Sequence, residues 1–215
     1  MKSSPKADKA EKRAVPAARK VRADAQRNLD ALLEAAKAVF SASGVDAPVR
    51  EIAAEAGVGV ATVYRHFPLR SDLVAAVFRR EVDACAAAAP VLAREHAPDE
   101  AVARWLRRYM SFIATKRGLA AALHSGDPAF DALPAYFQQH LEPALQSLLD
   151  AAVGAGQMRG GMAPGDLLRA VSNLATTNGD DGPAHSRRMV DLFIDGLRYD
   201  PAATRREPKK KPRSR

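Results

Sequence analysis

Between Asp24 and Ser43 the apolar residues Leu29, Leu32, Leu33, Ala36, Val39 and Phe40 recur at three- and four-residue steps, the period of a helix with one buried face. Gly44 ends that stretch. The next run, VREIAAEAGVGVATVYRHFPLRSDLVAAVF from Val49 to Phe78, breaks into two short helices. One carries Ile52, Ala53 and Ala56 on a single face, and the other runs through Thr62, Val63, Tyr64 and Phe67. Gly57 separates them, where a helix must end in a left-handed residue that is cheap only without a Cβ, and Val58 follows as an apolar plug. Pro68 stops the second helix, because its ring denies the preceding residue the α conformation. Ser71 and Asp72 open a further helix, with an acceptor for free amides and a negative charge at the positive end of the dipole. The pattern predicts a helix-turn-helix braced by the helix before it.

Farther along, Leu73, Val77, Phe78 and Val82 point inward from a helix that reaches the alanine run Ala86 to Ala89, with Pro90 as its end or a bend. From Pro98, a wide apolar face of Val102, Trp105, Leu106, Tyr109, Phe112 and Ile113 ends near Gly118. A short helix is expected over residues 119–124, closed by an SGDP turn. A longer one is expected from Phe130 to Val153, bent at Pro143. The glycine-rich GAGQMRGGM reads as a loop, and Pro164 to Thr177 and Ala184 to Arg198 as the last two helices. In the final helix Arg188, Asp191, Asp195 and Arg198 form the polar stripe. Met189, Val190, Leu192, Phe193, Ile194 and Leu197 cover most of the circumference, so its own domain can bury only one side and a partner chain is implied for the other. No segment shows the alternation of a half-buried strand, so the fold class is all-α.

Composition alters this picture in few places. At 215 residues the chain is one large domain or two small ones. No apolar run approaches the ~20 residues that span a bilayer, and the lysine-rich start lacks the apolar segment of a signal peptide. A cytoplasmic location without a membrane partner is expected. The single cysteine, Cys85, excludes an internal disulfide and a multi-cysteine metal cluster. The formal charge of +8 is unevenly spread: residues 1–22 hold eight Lys or Arg against two acids, and residues 204–215 hold seven against one. The segment between is net negative. Residues 1–23 are expected to form a disordered basic arm and residues 201–215 a disordered basic tail, since neither has an apolar period to bury.

A helix of about two turns, held steeply against another, presents a face narrow enough for the major groove of double-stranded DNA. Here that face carries Val60, Ala61, Thr62, Arg65 and His66, although glycine-turned helix pairs also occur in ordinary all-α cores. The run GVGVATVYRHFPLRSDLVAAVF, with the preceding LDALLEAAKAVFSASGV, resembles the amino-terminal DNA-binding domain of the TetR family of bacterial transcriptional regulators over about residues 24–85. ATKRGLAAAL, GDLLRAV and RRMVDLFIDGLR resemble the carboxy-terminal domain of SbtR-like members. The resemblance implies an amino-terminal three-helix helix-turn-helix domain at residues 24–70 and a carboxy-terminal helical ligand-binding, regulatory and dimerisation domain at 71–200. It implies a homodimeric, ligand-responsive repressor on a near-palindromic operator, answering to a small-molecule effector it leaves unidentified, and needing no cofactor.

The same resemblance gives Thr62, Tyr64 and His66 contacts to phosphates or bases and makes Arg70 a phosphate clamp. Pro48 and Val49 replace the small polar residues usual ahead of the second helix, so Arg50 becomes the expected contact there. Gly59 stands where serine is common, which removes one phosphate bond. Arg65 is the guanidinium able to read guanine with two bonds. The last two helices should form a four-helix interface with a second subunit, through Leu167, Val171, Leu174, Met189, Phe193, Ile194 and Leu197.

Other classes were weighed on the residues. Trp105, Tyr109 and Phe112, at i, i+4 and i+7, read equally as core and as the wall of an apolar ligand pocket. A DNA-binding or architectural module that needs no ligand is therefore the alternative. A metal-dependent enzyme has less behind it. His124, Asp127, Asp131 and His140, like Asp180, Asp181 and His185, lack the i, i+4 spacing that aims two imidazoles at one ion, and no metal site is assigned. No phosphate loop, nucleophile elbow or other catalytic motif is present, so no catalytic residue is named. Cys85 reads as a small buried filler rather than a redox switch.

Overall fold

The computed structural model describes residues 7–116, 125–175 and 182–198, with side chains for 25–113, 125–175 and 182–198. Within these residues lie eight α-helices and no strand: α1 (Ala7–Ser43), α2 (Val49–Glu55), α3 (Val60–His66), α4 (Arg70–Glu95), α5 (Pro98–Lys116), α6 (Leu133–Gly154), α7 (Pro164–Ala175) and α8 (Gly182–Arg198). The all-α expectation holds. The helix expected at 119–124 and the tail at 201–215 lie outside the described residues, as do His124, Asp180 and Asp181.

The described residues form two compact units, one of residues 7–77 with 125–129 and the other of residues 78–116, 130–175 and 182–198, so one division falls inside α4 between Val77 and Phe78. The first two turns of α4, past the boundary expected after Arg70, carry Leu73, Val74 and Val77, all buried and all belonging to the first unit. That unit's core also takes Leu32, Ala36 and Phe40 from α1, Ile52 and Ala53 from α2, and Val63 from α3. Helix α2 packs on α1 and α3 packs on α2. Ile52 is fully buried, so Ile52→Ala should destabilise this unit by about 2–5 kcal/mol, the range for an aliphatic side chain lost from a closed core.

Helix α1 corrects one expectation. It begins at Ala7, so residues 7–23, expected to be disordered, are helical. Their alanines, lysines, arginines and glutamate favour helix even where no apolar stripe repeats, while Pro16 opposes it. Pro90 likewise ends nothing, since α4 continues through it to Glu95.

In the second unit α5 is the central element and packs against α6, α7 and α8. Trp105 and Tyr109 stack with ring centroids 5.8 Å apart, Tyr109 and Phe112 meet at 6.1 Å, and Phe137 of α6 closes on both. The buried polar atoms of this cluster have partners: the Trp105 Nε1–H donates to the Cys85 carbonyl at 2.9 Å, and the Tyr109 hydroxyl shares a 2.6 Å hydrogen bond with Ser172 Oγ on α7. The polar stripe of α8 is a clasp. Arg198 reaches Asp99 at 2.9 Å and Glu100 at 3.3 Å, while Asp191 accepts from Arg107 at 2.8 Å. At the end of α6, Gly156 takes φ 68°, and Gln157 N–H returns to the Ala152 carbonyl at 2.9 Å, which starts the glycine-rich loop.

Candidate nucleic-acid interface

The turn between α2 and α3 is built from its backbone outward. Gly57 takes φ 67°; its N–H donates to the Ala54 carbonyl at 3.1 Å, and the Val58 N–H donates to the Ala53 carbonyl at 2.9 Å. This paired closure satisfies two carbonyls that α2 would leave open. A Cβ added at Gly57 would meet nothing within 4 Å, so the backbone angle, not crowding, calls for glycine. Helix α3 then starts from Gly59 without a side-chain cap, and α2 from Pro48 without one, as expected from the missing hydroxyls. Phe67, with φ −135° and ψ 86°, has left the helical region ahead of Pro68.

One residue of α3, Val63, is buried, and the rest of the helix faces outward. Val60 is 41% exposed and Tyr64 is 52% exposed, an apolar pair at i, i+4 on the free side. Ala61, Arg65 and His66 are exposed beside them, Thr62 is half-buried, and Arg50 is exposed near the start of α2. The structure thus leaves all eight expected contact residues on accessible surface, Arg70 at the start of α4 included, with no requirement of α3 packing to hold Val60 or Tyr64 there.

Arg70 also bonds within the chain. Its Nη1 donates to the carbonyl oxygens of Val45 and, at 2.8 Å, Ala47, in the loop between α1 and α2. A guanidinium that bonds two carbonyls through Nη1 ties the start of α4 to this loop, and the residue is still exposed. The sequence hid this because the partners lie 23 and 25 residues back. Asp72 meets its expectation: Oδ2 accepts the Leu69 N–H at 3.2 Å, closing the first turn of α4.

A sequence profile described as "Bacterial regulatory proteins, tetR family" matches residues 32–77, and one described as "Transcriptional regulator SbtR-like, C-terminal domain" matches residues 97–199. Among solved structures, a TetR transcriptional regulator from Streptomyces coelicolor is 38% identical, with 79% of this chain and 97% of that one covered at a TM-score of 0.69. The chain belongs to the TetR family of transcriptional regulators. The TetR-like regulator LfrR from Mycobacterium smegmatis, solved in complex with proflavine, is 25% identical, with 81% and 96% covered at a TM-score of 0.58. An HTH-type transcriptional regulator of Staphylococcus aureus is 39% identical over 64 residues, which is 29% of this chain and 35% of that protein. The match to that curated relative therefore spans about a third of its length.

Trp105, Tyr109 and Phe112 are brought together in a buried, mutually packed cluster whose polar atoms have partners. Burial pushes the Tyr109 hydroxyl well above its ordinary range, more than the Ser172 hydrogen bond lowers it. Of the seven residues expected at an interface with a second subunit, Leu167, Val171, Ile194 and Leu197 are buried within this chain. Leu174, Met189 and Phe193 are half-buried, and Leu192 beside them is 65% exposed. The wide apolar circumference of α8 is real, but its period does not reveal which half turns inward. His140 and Asp127 have local partners: His140 Nδ1 bonds the Tyr136 carbonyl at 2.7 Å, and Asp127 Oδ1 accepts the Ala129 N–H at 2.9 Å. Among the described residues no cluster of three His, Cys, Asp or Glu could hold a metal, and no helix is long and apolar enough to cross a membrane.

Proposed function

We propose that this chain is a ligand-responsive transcriptional repressor that acts in the cytoplasm as a homodimer on a near-palindromic operator. The observation that carries the reading is the outward face of α3, where Val60, Ala61, Tyr64, Arg65 and His66 stand exposed on a helix anchored by Val63 alone. Arg65 supplies the guanidinium that reads a base, Tyr64 and Thr62 supply hydroxyls for phosphates, and Val60 and Ala61 suit a thymine methyl. Half-buried Leu174, Met189 and Phe193, with exposed Leu192, supply the apolar surface for a second subunit. Two heads related by a twofold axis then require half-sites about one helical turn or more apart. The solved LfrR complex holds a small molecule, which supports an effector for this chain as well.

Selection of bound duplexes from a random pool, followed by footprinting, tests the reading. A protected near-palindrome with two equivalent half-sites is expected. Enrichment of a single unrepeated half-site would remove the dimer, and no enrichment would remove sequence-specific regulation. The packed state of Trp105, Tyr109 and Phe112 favours a second reading, a DNA-binding module that answers to no ligand. Thermal-shift screening against apolar and charged small molecules separates the two.

A further inference from the structure

Helix α4 carries an alanine-rich stretch, Ala84 to Ala89, beside three arginines of α5, Arg104, Arg107 and Arg108. Methyl groups on one helix and long side chains on the other leave a trough of about 680 Å³ between them. Ala84, Ala88 and Val91 belong to its apolar wall, while Glu100 and the three arginines form the polar one. The volume lies within the roughly 300–1,000 Å³ usual for small-molecule sites, and apolar lining with few convergent polar groups is their usual chemistry.

The charges decide what fits. Arg107 is paired with Asp191 at 2.8 Å, Arg104 with Glu100 at 2.8 Å, and Glu100 also meets Arg198 at 3.3 Å. Arg108 has no ion pair among the described residues. Its guanidinium is close enough to α4 to act on Cys85: burial pushes that thiol up to about 12, and the Arg108 charge is the main influence opposing it. One uncommitted cation faces an apolar floor on which Val91 remains 37% exposed.

We propose that this trough binds a monoanionic amphiphile, with its carboxylate on Arg108 and its apolar body along Ala84, Ala88 and Val91. A polyphosphate would meet one available guanidinium and the Glu100 carboxylate, a bare inorganic anion would leave the apolar wall uncovered, and a cation would be repelled. The regulatory meaning of this site rests on the effector reading above; the binding itself does not.

Titration calorimetry on the full-length protein without DNA tests it, with decanoate as the probe and decanol and decyltrimethylammonium as neutral and cationic counterparts. Saturable decanoate binding that exceeds both is expected. Arg108→Gln should weaken it roughly fivefold, the value of one partly exposed charge contact, and bring decanoate level with decanol. Ala88→Leu should fill the floor and abolish binding. Thermal melts of both variants check that they remain folded, and Ala84→Leu replaces Ala88→Leu if that one does not. Equal binding of decyltrimethylammonium, or decanoate binding indifferent to Arg108→Gln, overturns the proposal. Decanoate that occupies the trough yet leaves affinity for the selected operator unchanged upholds the site and overturns the effector reading. Absence of binding overturns the site and leaves that reading standing.

Discussion

The Arg70 guanidinium donates through Nη1 to the carbonyl oxygen of Ala47 at 2.8 Å, tying the start of α4 to the loop that precedes α2. Val45 shares the same nitrogen. Both carbonyls belong to residues that are buried, so removal of the donor leaves acceptors with little access to water. Arg70→Met should therefore destabilise the protein by about 1.5–3 kcal/mol, the range for a hydrogen bond to a charged group, measured as a shift in the urea midpoint. Arg70→Lys should restore only part, because the shorter lysine stem carries its ammonium less far than the arginine carries Nη1. The salt dependence of DNA binding separates tie from clamp. A tie leaves the slope of log affinity against log salt unchanged, whereas a clamp on one phosphate per subunit would lower it by about 1.8 for the dimer.

For the exposed face of α3, Arg65→Ala should cost about 1–3 kcal/mol on the selected operator and blur one base position. Tyr64→Phe should weaken all sequences alike, since a phosphate bond carries little sequence information. Competition binding against single-base operator variants reads both. Uniform loss for Arg65→Ala would move that residue to the backbone.

At the proposed subunit interface, Ile194 is fully buried within its own subunit while Phe193 is half-buried. Ile194→Asp is expected to unfold the second unit, because an unpaired carboxylate in a closed core exceeds what a domain of marginal stability tolerates. Phe193→Asp is expected to yield a folded monomer. Sedimentation equilibrium with circular dichroism distinguishes these outcomes, and a folded dimer for Phe193→Asp would place the interface elsewhere.

The amino-terminal segment carries the last prediction. Residues 23–85 hold seven Lys or Arg against nine acids, so the reading head itself has no bulk attraction for a polyanion. Residues 1–22, with eight Lys or Arg against two acids, supply it. If they neutralise about three phosphates per subunit, a chain starting at Arg22 should lose about 5 from the salt slope of the dimer, at ~0.9 per phosphate. Base preference should hardly change. Superimposable isotherms over the salt series would reduce the segment to a spacer.

How far the residues alone reach can be read from particular positions. Gly57 and Pro68 each impose a backbone angle that nothing else in the neighbourhood contests, so the ends of α2 and α3 were legible. The buried stripe of α1 was legible for the same kind of reason, because Leu32, Ala36 and Phe40 leave one way to turn. The Arg70 tie was not, since a side-chain bond across 23 residues leaves no local pattern. Nor was the inward half of α8, where apolar residues on nearly every side make the period uninformative. The trough escaped for a further reason: pattern reading follows large apolar residues such as Trp105, and empty space is made by small ones such as Ala88. Residues 7–23 show a limit of another kind, a helical stretch that periodicity does not announce and that Pro16 argues against.

The chain holds one tryptophan, and Trp105 sits fully enclosed on α5 with its indole N–H bound to the Cys85 carbonyl and its face on Tyr109. It is therefore a built-in optical probe. An indole shielded from water emits at shorter wavelength than one that solvent can relax around, and iodide or acrylamide reaches it slowly. Arg104 and Arg108 flank it along the same helix, so occupancy of the neighbouring trough and loosening of the second unit should both register in the emission of this single residue, without a label and without any other tryptophan to confuse the signal.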